Sequence, residues 1–124
     1  MRVITPLNKD FDYETNKQLF DKANNTIGEK CTFDEVISKY QFFSYYKQDE
    51  YLGFIYFFYE DGKLFICSAS VPKRYQDTYK CLLESLTYYS CDIYANTSQR
   101  HVKLILLRAG FKKINDNLFI YERN

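Results

Sequence analysis

No run of this sequence approaches the ~18 uninterrupted apolar residues of a membrane-spanning helix, and the opening MRVITPLNKDF lacks the apolar core of a signal peptide. A cytoplasmic chain is expected. Charge of one sign is also missing: Lys and Arg number 17 against 16 acidic residues, so there is no global field to draw nucleic acid or an anionic membrane. Any anion site has to be local. Metal-ligand spacing is absent too, because Cys31, Cys67, Cys81 and Cys91 include no pair two residues apart and His101 is the single histidine. That argues against zinc. Cys67 and Cys81 fall where the patterns below predict burial, as small apolar thiols in a reducing compartment.

Tryptophan is absent as well, while 13 tyrosines and 11 phenylalanines stand among many Lys, Asn and Ile. Such a mixture fits an A/T-rich coding sequence. An aromatic platform for nucleic acid would need basic residues interleaved on one face, whereas FIYFFY at 54–59 is uninterrupted and reads as a buried strand. At 124 residues the chain is expected to be a single domain, 1–124, burying roughly two-thirds of its unfolded surface.

In chain order, RVITPL at 2–7 reads as a short strand closed by Pro6, after which Asp10 or Asp12 can cap a helix running to about Ala23. Asn24 and Asn25 are read as its end. Thr32 with Glu35 forms a capping box, and Phe33, Val36, Ile37 and Tyr40 follow at helical spacing. Then the period changes. Strands are expected over 41–48, 51–60 and 63–71, with Asp61-Gly62 as a hairpin turn and Gly53 as the mark of a bulge.

Pro72 breaks the third of these strands, and a helix follows. Its predicted core stripe is Tyr75, Tyr79, Leu82, Leu83 and Leu86. A strand over 91–95 comes next, parallel to strand 63–71 because a helical crossover joins them. Ser98 is the predicted cap of the last helix, with Val102, Ile105, Leu106 and Ala109 as its stripe and Gly110 at its carboxyl end. A hairpin around Asn115-Asp116-Asn117 completes the chain. The predicted class is α/β (α+β): a mixed, mostly antiparallel sheet with helices on both faces, in the order β-α-α-β-β-β-α-β-α-β-β.

That order, with NTSQRHVKLILLRAGF at 96–111 before a final hairpin, resembles the GCN5-related N-acetyltransferase (GNAT) fold across nearly the whole chain. LLRAGF at 106–111 is similar to the Leu-Tyr-x-Lys-x-Gly-Phe turn of that family. Asn96-Thr97-Ser98 also resembles the strand end of small acetyltransferase-like podophage proteins, some of them internal virion components. The family resemblance implies acetyl-CoA in a V between the fourth and fifth strands, with Cys67, Ala69, Val71, Arg74 and Asn96 as cofactor-binding residues. It implies a pyrophosphate motif, Gln/Arg-x-x-Gly-x-Gly/Ala, whose first residue falls on Arg74 and whose glycines fall on Asp77 and Tyr79.

Two of those three positions depart from the motif. An aspartate about 5 Å from a phosphate charge costs roughly 3 kcal/mol at an effective dielectric of 20, and a Tyr side chain fills space the backbone needs unless it turns into the core. Asp77 is therefore read as a solvated acid in a first helical turn, and Tyr79 as turned inward. The family's tyrosine acid aligns with Leu106. Glu60 is the candidate base and Tyr94 a substitute acid, while His101 reads as a surface residue.

Three functions follow. The first is a catalytically degenerate acetyltransferase-like protein, phage-encoded, with a structural or protein-binding role, in the host cytoplasm or the virion, and with phage or virion proteins as partners. The second is an active acetyl-CoA-dependent N-acetyltransferase with an atypical pyrophosphate loop. The third, a nucleic-acid-binding module, needs Lys73, Arg74, Lys80, Lys112 and Lys113 on one face, and the near-neutral charge disfavours it.

Overall fold

The computed structural model describes residues 1–27, 31–71 and 75–123, with the backbone alone for 24–27 and 75. Among the described residues seven strands form one sheet: β1 (Arg2–Ile4), β2 (Gln41–Lys47), β3 (Glu50–Glu60), β4 (Lys63–Ser70), β5 (Ile93–Asn96), β6 (Lys112–Lys113) and β7 (Leu118–Tyr121). Their order across the sheet is β1-β2-β3-β4-β5-β7-β6. Every neighbouring pair is antiparallel except β4 and β5, which run parallel as the crossover requires.

Alternation along β3 divides the core into two layers. Phe54 and Tyr56 pack with Phe20 of α1 (Tyr13–Ile27) and with Phe33 and Val36 of α2 (Phe33–Lys39) on one face. Ile55 and Phe57 pack on the other with Leu82 and Leu86, at the end of α3 (Tyr75–Ser85) and just beyond it, and with Leu106 of α4 (Arg100–Arg108). The mixed sheet with helices on both faces is thus observed.

Local chemistry explains most boundaries. Asp12 accepts the Thr15 N–H at 3.1 Å and caps α1. The Thr32–Glu35 capping box starts α2 as predicted. Asp61 and Gly62 both hold positive φ, 53° and 75°, as a two-residue hairpin turn demands. Gly53 has φ 136° beside the register shift between Tyr45 and Tyr46, and a Cβ there would sit 2.2 Å from the Ala69 carbonyl oxygen. The bulge puts Leu52 on the face of Ile55 and Phe57, where strict alternation would place it on the opposite one.

Four expectations are corrected. β1 ends at Ile4 rather than reaching Leu7. α1 continues through Ile27, because Asn24 and Asn25 are only middling helix residues and no glycine or proline comes before Gly28. α4 begins at Arg100 with Gln99 at its cap, since the Thr97 hydroxyl takes the Gln99 N–H at 3.2 Å and turns the chain there, which leaves Ser98 outside the helix. The stripe of α3 is rotated: Cys81, Leu82, Ser85 and Leu86 are buried, whereas Leu83 is 40% exposed. Ser85 can face the core because its hydroxyl donates to the Leu82 carbonyl at 2.8 Å.

Candidate functional site

The parallel ladder between β4 and β5 has only two rungs, Leu64 with Ile93 and Phe65 with Tyr94. Beyond them the two strands part. β5 instead pairs along its length with β7, so the divergence is fixed by that second ladder. The gap opens into a cleft of about 780 Å³ lined by 66–71 of β4 and the turn after it, by 95–99 at the end of β5, and by Thr78, Leu82, Val102 and Ile105 from the two helices behind. α1 and the aromatic face of β3 form its opposite wall.

Of the residues the resemblance selects, Cys67, Ala69, Val71 and Asn96 line this cleft, and Glu60 stands exposed at its rim. Tyr94 does not line it. The Tyr94 ring packs on Phe65 at 5.7 Å between centroids, beneath the Lys63 ammonium at 5.8 Å. Arg74, Pro72 and Lys73 lie outside the described residues, as does the side chain of Tyr75. Of the five cations needed for a nucleic-acid patch, Lys112 pairs with Glu122 at 2.9 Å and Lys113 with Asp116 at 3.6 Å. Those two pairings weaken the third reading further.

Asp77 and Tyr79 are not placed as expected. Asp77 is 8% exposed rather than solvated, and its carboxylate faces the Lys47 ammonium of β2 at 3.9 Å. Tyr79 does not enter the core. Its ring lies under the Arg108 guanidinium at 4.6 Å, and its hydroxyl reaches toward the Arg108 carbonyl at 3.5 Å. One objection to an anion at the start of α3 is thereby reduced by a counter-ion, and the other by a side chain held against α4.

Sequence reasoning missed the hydroxyl pair at the α3 end of the cleft, where Thr78 Oγ1 donates to Ser70 Oγ at 2.6 Å. It also missed that His101, at the start of α4, borders the cleft. The signal for the first was faint: Thr78 follows a predicted helix start by only a few residues, and Ser70 is the last residue but one of a predicted strand. At the family's tyrosine position Leu106 is 4% exposed, packed in the core.

The sequence matches no protein-family model and no curated protein sequence. Solved structures do match in shape. Aminoglycoside 6'-acetyltransferase type Ii is similar at a TM-score of 0.62 and 17% identity, over 98% of this chain and 97% of that one. The fold is that of the GCN5-related N-acetyltransferases. An aminoglycoside 6'-N-acetyltransferase from Enterococcus faecium superposes at 0.59 with 15% identity, over 97% of this chain and 94% of that one. An aminoglycoside 6'-N-acetyltransferase complexed with coenzyme A superposes at 0.58, again with 15% identity and the same coverage of both chains.

Proposed function

We propose that this protein binds a coenzyme A thioester in the cleft between β4 and β5 and belongs, by activity class, with acyl-CoA-dependent N-acyltransferases of reduced catalytic power. The observation that carries the reading is the two-rung ladder: the strands are held together at Leu64 and Phe65 and forced apart beyond. The donor set fits the group. A strand edge at 66–70 can pair with an extended amide chain as an added strand would, and the Ser70 and Thr78 hydroxyls sit at the α3 end. There Arg74, by resemblance, would hold a phosphate.

The thioester, when bound, supplies an activated acyl group. Glu60, exposed at the rim, takes the role of accepting a proton from an amine. No tyrosine stands on α4 to return one to a leaving thiolate, since RHVKLILLR contains none. Slow transfer follows from that absence.

The same absence favours a second reading, in which the fold is catalytically degenerate and serves a phage-encoded structural or protein-binding role. Calorimetry with acetyl-CoA tests the first reading. Micromolar binding is expected, weakened at least about tenfold in Arg74→Ala by loss of a charge-assisted hydrogen bond. Failure to bind at millimolar acetyl-CoA overturns it and leaves the degenerate reading.

A further inference from the structure

A row of four aromatic rings crosses the sheet at the narrow end of the cleft, where β4 and β5 are still paired: Tyr40, Phe58, Phe65 and Tyr94, with centroids 5.6, 5.4 and 5.7 Å apart in turn. All four are half-buried. The rings just before them on the same face of β3, Phe54 and Tyr56, are instead fully buried, with Phe20 of α1 at 6.1 and 6.5 Å. The helical cover therefore stops after Tyr56, and the row beyond it shows part of each ring to the outside. Phe58 and Phe65, the central pair, are nearly parallel at 13° and both line the cleft.

Charge around the row is sparse and uneven. Glu60 follows Phe58 by two residues, so it lies on the same face of β3, and it is the sole carboxylate lining the cleft among the described residues. Lys22 of α1 lines the same wall. Lys63, the register partner of Glu60, carries its ammonium over Tyr94 at the β5 end. One anionic group beside flat apolar surface suits a ligand with one ammonium and one ring. A polycation would meet two lysines and a single carboxylate.

We propose that the acceptor end of the cleft takes a small aromatic primary amine, its ring on Phe58 and Phe65 and its nitrogen toward Glu60. The assignment rests on the cleft being the thioester site. It sets the acceptor apart from the aminoglycosides named for the structural neighbours. Titration of the full chain, followed by NMR, with phenethylamine, n-butylamine, phenethyl alcohol and kanamycin A tests it, with acetyl-CoA titrated separately.

Phenethylamine is expected to bind at least about fivefold tighter than n-butylamine and at least about threefold tighter than phenethyl alcohol, with kanamycin A the weakest. Phe65→Leu, which keeps an apolar side chain on β4, should erase the first ratio. Glu60→Gln, at an exposed position, should erase the second. Tighter binding of kanamycin A, absent ratios, or ratios unchanged in the variants overturns the proposal. Acetyl-CoA binding without the amine ratios sinks this inference alone; the amine ratios without acetyl-CoA binding sink the cofactor reading alone.

Discussion

Leu82 and Leu83 are adjacent and equally apolar, yet the first is 6% exposed and the second 40%. Helical geometry turns them about 100° apart, so only one can lie over the sheet's centre. Truncation should report this directly: Leu86→Ala is expected to cost about 2 to 5 kcal/mol, and Leu83→Ala under about 0.5 kcal/mol, by denaturant unfolding. Equal losses would mean that the helix is set differently on the sheet. Cys81 illustrates another property of the same buried face. Burial, with the Asp77 carboxylate adding to it, pushes its thiol from an ordinary 9.0 up to about 12. The folded state then holds a proton that the unfolded state releases between those values, so stability contributed by Cys81 is present below pH 9 and lost progressively as pH rises toward 12. Unfolding free energies measured from pH 8 upward should fall, and Cys81→Ala should lessen the fall. An identical pH slope in that variant would contradict the burial. The buried Ser85 and Asp77 were hidden in the sequence because a hydroxyl bonded to its own helix and a carboxylate facing a lysine on another strand leave no hydropathy signature.

Elements were legible where local chemistry alone decides them. The Thr32–Glu35 box, the Asp61-Gly62 turn and the positive-φ glycine after α4, Gly110 at 106°, each follow from contacts within a few residues. Boundaries that depend on a competing partner were not: Thr97 captured the turn before α4, and α1 ran past its asparagines. Gly53 belongs to both groups, since its bulge was readable but its cause is long-range. Its backbone lies against the Ala69 carbonyl of β4 as well as in a φ that other residues avoid. Gly53→Ala is therefore expected to destabilise by about 2 kcal/mol or more, read from a shift in the urea midpoint at constant slope. A shift below about 0.5 kcal/mol would show that β3 and β4 separate easily at that point.

At the scale of the whole molecule, element order was sufficient to give the sheet, because a parallel pair joined by a helix and flanked by hairpins permits few arrangements. Cys67, Ala69, Val71 and Asn96 came from the family resemblance rather than from element order, and all four lie beside one cleft. The electrostatics of the cleft were not legible. Asp77 is 30 residues from Lys47, and nothing local links them before β2 and α3 are packed on one sheet. Tyr94 was legible as a strand residue but not as one turned into a row of rings, a fact that depends on Phe65 next to it. No helix among the described residues is long and apolar enough to cross a membrane.

The central claim is that the divergence of β4 from β5 makes a thioester site. Backbone amide shifts followed by NMR during an acetyl-CoA titration test it most directly. The account predicts saturable perturbations at micromolar ligand, concentrated at 66–71 and 95–99, with β1 and β6 unmoved. Shifts absent up to millimolar acetyl-CoA, or concentrated away from those two strand ends, would contradict it.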